Sequence, residues 1–224
     1  MGKEVALAVN KAEDMALVQE IEKGQSFHID ADVAVDFTHP SSAVENAISA
    51  LNKNCSVVIG TSGLSQSDLK QISDIATNSA VFYIPNFSIG AVLMMKFSAE
   101  AAKYLSNVEI IEMHHEKKAD SPSGTAIRTA QIISENATVK SIITDPEHTQ
   151  QGVRGAIVEG IPIHSVRLPG LLAHQQVMLG APGELLTIRH DSMDRKCFMP
   201  GVLLAIRACS GRKGLTIGLE NLLP

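Results

Sequence analysis

From residue 33 the chain switches between short apolar runs and segments whose apolar positions recur every three or four residues. VAVDF (33–37) has the length of a buried strand, and HPSSAVENAISALNKN then sets Pro40 at a helix start with Ala43, Ala47 and Leu51 on one face. SVVIGTSG (56–63) repeats the pattern with a β-branched run that ends in a glycine-rich turn. SQSDLKQISDIA follows, with Ser65 and Asp68 spaced as a capping box. AVFYIPNFSIG (80–90) supplies a third strand and AVLMMKFSAEAAKYL a third helix. This alternation predicts an α/β fold, a doubly wound parallel sheet with right-handed crossovers and helices on both faces. Ligands of such sheets sit beyond the carboxy ends of the strands, here DFTHP, GTSG and IPNFS.

The pattern changes after Val108. NVEIIEMHH reads as a strand and SGTAIRTAQIISENA as a helix, but IPIHSVRL, HQQVML and GELLTIRH alternate residue by residue, as half-buried strands do. They predict a second α+β domain with a mixed or antiparallel sheet. The tail returns to an apolar helix, FMPGVLLAIRACS, and a short terminal element, GLTIGLENLL, expected to pack on the first domain. The expected division is residues 1–86 with 196–224 for the first domain and 87–195 for the second. One long loop is expected at 144–155.

Composition narrows the function. With 224 residues, 45% of them hydrophobic, the chain is long enough to bury a full core. A formal net charge of -5 disfavours nucleic acid as a partner, because phosphate binding calls for a basic face. Cys55, Cys197 and Cys209 are odd in number and far apart, so they suggest neither a disulfide framework nor a zinc knuckle and fit a reducing cytoplasm. No apolar run is long enough to span a bilayer.

Chemistry concentrates in EMHHEKKADSPSGTA, residues 112–126. Strand alternation puts Glu112 and His114 on one face and Met113 and His115 on the other, unless the strand ends there. Ser123 has the position of a helix N-cap, so Gly124 and Thr125 would present backbone N–H groups to a carboxylate or phosphate. Lys117 and Lys118 make this spot positive within an acidic chain. The inferred ligand is a small polyanion. Histidine exchanges protons near neutrality, and lysine can hold a carboxylate or give up a proton. No HExxH or cysteine partner accompanies the histidines, so no metal site is expected. His164, His174, Arg189 and His190 fall in second-domain strands and read as sheet-surface or interface residues.

The string E-x-H-H-x-x-K-x-D-x-P-S-G-T-A resembles the signature of the dihydrodipicolinate reductases, with Ser121 where that family usually has alanine. VDFTHP (35–40), VVIGTSG (57–63), PNFSIGAVL (85–93), GIPIHSVRLPGLLAHQQV and GELLTIRHDSMDRKCFMPGVLLA extend the resemblance along nearly the whole chain, closest to the actinobacterial type. The resemblance implies a Rossmann domain joined to a mixed-sheet domain that assembles a homotetramer. It also implies reduction, by NADH or NADPH, of 4-hydroxy-tetrahydrodipicolinate with loss of its hydroxyl as water. By the same resemblance, His114 is the general acid/base and Lys118 the proton donor, while His115, Gly124 and Thr125 bind the dicarboxylate. Gly60, Thr61 and Ser62, and then Ile84, Pro85, Asn86 and Phe87, correspond to the cofactor loops.

Only Met1 and Gly2 resemble the end of the family's G-x-x-G-x-x-G loop, and Glu22 falls where an acidic residue holds the adenosine ribose. About ten residues, one strand's length, are missing ahead of them. That strand is central in a doubly wound sheet, so its two neighbours are expected to lack a partner. The natural chain is therefore expected to carry an upstream strand and two more glycines. An alternative is an impaired relative that binds a dicarboxylate or a partner protein but holds nucleotide poorly.

Overall fold

The computed structural model describes residues 1–22, 25, 30–140, 150 and 152–223, so most of the loop expected at 144–155 lies outside the described residues. The chain forms two compact units, one of Met1–Ile89 with the segment from Arg195 onward, the other Gly90–Asp194.

In the first unit α1 (Gly2–Lys11) precedes β1 (Val33–Asp36), α2 (Pro40–Leu51), β2 (Ser56–Ile59), α3 (Gln66–Ile75) and β3 (Ala80–Tyr83). The expected signals operate locally. Pro40 opens α2, and Ser65 and Asp68 close a reciprocal capping box on α3. The second unit contains α4 (Ile89–Ala102, from its second residue), β4 (Asn107–His114), α5 (Gly124–Asn136), β5 (Ala156–Val158), β6 (Ile161–Arg167), β7 (Ala173–Ala181) and β8 (Glu184–Ser192). The chain then returns to the first unit with α6 (Met199–Ala208) and β9 (Gly214–Ile217).

The first sheet is parallel throughout, in the order β1-β2-β3-β9. Val57 and Ile59 of β2 pack with Val81 of β3 against Ala43, Ala47 and Leu51 of α2 and Leu69 and Ile72 of α3. Val58 points the opposite way by strand alternation, toward the face where α6 packs on β2 and α1 packs on α6. Apolar residues on both faces explain why β2 and β3 read as continuous runs rather than alternating ones. Among the described residues β1 is an edge strand, paired only with β2, and no strand occurs between Lys11 and Val33.

The second sheet runs β5-β6-β4-β7-β8, with β4 parallel to β6 and antiparallel to β7. Val108 and Ile110 of β4 share a buried face with Ile163, Val177 and Leu179, and α5 packs on β4. Ile157, Val166 and Leu185 lie on the opposite face and are exposed, as Thr187 and Arg189 are. Polar groups on that face are paired: His174 with Asp191 at 2.6 Å, and His164 with Glu109 at 2.8 Å.

Candidate active site

Within the second unit, residues 112–126 join the end of β4 to the start of α5. Glu112 and His114 share the β4 face that carries Val108 and Ile110, and the strand ends at His114, so His115 falls in the following turn. There its carbonyl accepts a hydrogen bond from the Lys118 N–H at 3.1 Å. Ser123 caps α5 by accepting from the Ala126 N–H at 3.2 Å, and its carbonyl accepts from Ile127. That pairing leaves the Gly124 N–H at the open end of the helix, where a Cβ on Gly124 would meet nothing within 4 Å. Thr125 follows in the same turn, with its carbonyl taking the Thr129 hydroxyl at 2.7 Å. Gln175 of β7 donates in turn to Thr129 Oγ1 at 2.8 Å, which ties this turn to the sheet. Lys118 is half-buried and spans both carboxylate oxygens of Asp120 at 2.8 Å. That hydrogen bond holds the Asp120 carboxyl below its ordinary pKa. Lys117 is exposed.

Glu112 organises this region, a role the sequence alone did not reveal. Its side chain is fully buried, yet it accepts from the Ser123 N–H at 3.2 Å, from both Arg167 terminal nitrogens at 2.8 and 2.9 Å, and meets His114 Nδ1 at 2.5 Å. Burial alone would raise its pKa. Hydrogen bonds from His114, Arg167 and Ser165, with the charge on His114, instead lower it to about 2. A carboxyl depressed in the folded state contributes stability above its unfolded pKa and loses it as pH falls through the folded value. The drop from 4.5 to about 2 corresponds to roughly 3 kcal/mol. Urea unfolding of the parent chain should therefore weaken by about that amount between pH ~5 and ~2, and a Glu112→Gln chain should lack this component. Parallel losses in the two chains would refute it.

In the first unit the three expected loops meet around Asp36 and Phe37. Asp36 accepts from Thr61 Oγ1 at 2.7 Å, Asn46 Nδ2 at 2.8 Å and the Thr38 N–H at 3.1 Å, so the Thr61 hydroxyl turns inward. A Cβ on Gly60 would come within 2.1 Å of the Phe37 ring, and that ring lies 5.3 Å from Phe87. Ser62 and Pro85 are exposed, whereas the Ile84 side chain is buried and its N–H donates to Ile59 in the sheet. Asn86 accepts from the Ser88 N–H at 2.9 Å, shaping the last loop.

A dinucleotide fits this set. The loops after β1, β2 and β3 are bound to one another, with glycine where the Phe37 ring leaves no space for a Cβ. Met1 contributes no side-chain cap to α1, whose Glu4 and Val5 N–H groups both turn to the Met1 carbonyl, leaving those of Gly2 and Lys3 for an anion. Glu22 is exposed and linked through its backbone to Gln25, and no strand among the described residues presents it. Among the described residues no cluster of three or more His, Cys, Asp or Glu is arranged to hold a metal, and no helix is long and apolar enough to cross a membrane.

The matches to known proteins agree with this organisation. Residues 1–87 match the family model for dihydrodipicolinate reductase, N-terminus, and residues 90–223 match that for dihydrodipicolinate reductase, C-terminus. The chain belongs to the dihydrodipicolinate reductase family. A 4-hydroxy-tetrahydrodipicolinate reductase of Mycobacterium sp. (strain KMS) is 46% identical over 233 residues, covering 100% of this chain and 94% of the relative. One from Desulfitobacterium hafniense is 50% identical over 199 residues, covering 86% and 73%. The dipicolinate-bound dihydrodipicolinate reductase from Paenisporosarcina sp. TG-14 superposes with a TM-score of 0.86 at 41% identity, covering 99% of this chain and 95% of that one. A probable dehydrogenase from Thermotoga maritima, at 9% identity and a TM-score of 0.55 over 86% of this chain and 74% of that one, shares only the fold. Dihydrodipicolinate reductases are NAD(P)H-dependent oxidoreductases of diaminopimelate and lysine biosynthesis, and their N-terminal part is a Rossmann domain that binds NAD(P). The activity of this chain is accordingly the reduction of 4-hydroxy-tetrahydrodipicolinate to tetrahydrodipicolinate with loss of water.

Proposed function

We propose that His114 is the acid/base group of this reduction and Lys118 its proton donor, with His115, Gly124 and Thr125 gripping the substrate's carboxylates. One observation carries the reading. A single buried carboxylate, Glu112, holds both the His114 ring, at 2.5 Å, and the Ser123 N–H at the head of α5, at 3.2 Å. The proton-transfer group and the helix end suited to an anion are thus fixed to one anchor. Lys118 adds positive charge beside them, and its half-burial keeps the ammonium close to the ligand while Asp120 orients it. When bound, NADH or NADPH supplies the hydride. The groups proposed to hold the nucleotide are Gly2 at the head of α1, Gly60, Thr61 and Ser62 after β2, and Ile84, Pro85, Asn86 and Phe87 after β3. Ile84 and Thr61 act through backbone groups, since their side chains are committed to the core and to Asp36. Glu22 is proposed to hold the adenosine ribose.

The ligand proposed is a small dicarboxylate, in keeping with the dipicolinate named for the Paenisporosarcina relative. A homotetramer is proposed, built on the outer face of the second sheet, where Ile157, Val166 and Leu185 are exposed. The cytoplasm is proposed as its compartment. Free thiols support this, with Cys55 and Cys209 pushed up by burial to about 11 and about 12.

Oxidation of NADH followed in the presence of 4-hydroxy-tetrahydrodipicolinate tests the reading, with dipicolinate added as a competitor. Substrate-dependent oxidation that dipicolinate suppresses competitively is expected, together with micromolar binding of NADH by calorimetry. Dipicolinate binding without NADH binding would favour the impaired relative instead.

A further inference from the structure

Glu112 sits in the row of inward-facing β4 residues that begins with Val108 and Ile110, where an unpaired carboxylate would be costly. Three groups converge on it. Arg167, opposite His114 on the neighbouring parallel strand, grips both its oxygens and also donates to the Asp120 carbonyl at 2.7 Å, fastening the 115–123 loop. The Ser123 N–H fixes Oε1 from the far end of that loop. Oε2 is thereby aimed at His114 Nδ1, 2.5 Å away.

We propose that Glu112 is the positioning residue of His114: it holds the proton on Nδ1, fixes the ring plane, and leaves Nε2 as the nitrogen that exchanges protons with substrate. The inference rests on the assignment of His114 as the acid/base group. Its physical basis is donor count. An ionised carboxylate only accepts, so the ring nitrogen it meets must carry the hydrogen, and the second nitrogen is then the basic one. The charged groups around the ring are Glu112 on its own strand, Arg167 on β6, and Lys118 with Asp120 in the loop, while β7 presents the uncharged Ala173 opposite it. Arg167 is neutralised by Glu112 and Lys118 by Asp120, so the carboxylate nearest the ring sets its proton. The same contact links chemistry to binding, because Ser123 both donates to Glu112 and caps the helix whose first turn meets the substrate carboxylate.

The ring can be read directly. Nitrogen-15 NMR of the chain labelled in histidine, with His114→Gln used to assign the signal and recorded where the ring is neutral, should show the proton on Nδ1. A ring protonated on Nε2 would overturn the inference. In kinetics, Glu112→Gln should lower kcat on the order of 100-fold, with KM for substrate changed by less than ~3-fold. Glu112→Asp, which restores the charge, should recover part of kcat. A folded Glu112→Gln chain with the parental kcat would also overturn it. If Glu112→Gln fails to fold, the NMR of the parent chain decides alone. Unchanged kcat in His114→Gln would remove the assignment of His114 and this inference with it. Loss of activity in His114→Gln together with an Nε2–H ring would remove only the inference.

Discussion

A His114→Gln chain is expected to turn over 4-hydroxy-tetrahydrodipicolinate more slowly than the parent by about 10²- to 10⁴-fold, the range typical of a lost general acid or base. Its affinity for NADH should be unchanged. The separation follows from where the proposed groups lie: His114 is at the end of β4, whereas the loops proposed to hold the nucleotide, after β2 and β3, belong to the other unit. Glutamine approximates the ring's size and can meet the Glu112 carboxylate with its amide N–H, so the buried charge keeps a donor beside Arg167. What disappears is a ring that can gain and lose a proton. Initial-rate kinetics with calorimetric NADH titration make the comparison. Equal losses in turnover and in nucleotide affinity would count against the acid/base role.

Gly201→Ala should lower the melting temperature by about 6–12 °C, the equivalent of roughly 3 kcal/mol in a chain of this size. Helix propensity alone argues the reverse, since alanine in place of glycine inside a helix is worth about 1 kcal/mol. Packing decides the sign. Gly201 lies in α6, and a Cβ there would stand 2.1 Å from the Phe87 carbonyl oxygen and 3.1 Å from Leu219 Cδ2. The nearer obstacle is backbone and cannot rotate aside, so either α6 or the loop after β3 has to move. That loop holds Asn86 and Phe87, and Phe87 packs on Phe37, which in turn covers Gly60. Weaker NADH binding should therefore accompany the lower melting temperature. Calorimetric melting and NADH titration measure both, and a variant as stable as the parent would show that the approach to Phe87 is not limiting.

Much of the architecture was legible because local signals and burial agreed. Val57–Ile59 and Ala80–Tyr83 are apolar on both faces, Ser65 and Asp68 form a real cap, and Ser123 sits where a helix must begin. The mixed pairing of the second sheet was less accessible. That β4 runs parallel to β6 yet antiparallel to β7 depends on contacts between residues about 50 or more apart, and β5 is short and largely exposed, with little apolar pattern to betray it. The stretch proposed for acid/base chemistry stood out by its residue types, and alternation alone puts Glu112 on the same face as His114. Their anchoring did not stand out. Arg167 reaches Glu112 from another strand, and Asp36 gathers Thr38, Asn46 and Thr61 across three segments. A usable hint was present in both cases, namely a carboxylate at an inward position of an otherwise apolar strand, which demands partners from elsewhere. Glu22 had no such hint, and no described strand presents it.

The return of the chain from the second unit to the first has a consequence for the order of synthesis. Gly90–Asp194 is one uninterrupted stretch, so its sheet can close as soon as that stretch has been made. The first sheet must wait: β3 gains its outer neighbour only through Gly214–Ile217, and β2 gains α6 only through Met199–Ala208. During translation the nucleotide-binding unit is thus begun first and completed last, with the strand edge of Ala80–Tyr83 and one apolar sheet face left uncovered in the interval. A nascent chain halted before residue 199 should accordingly resist protease across 90–136 and 156–194 while remaining susceptible within 33–83.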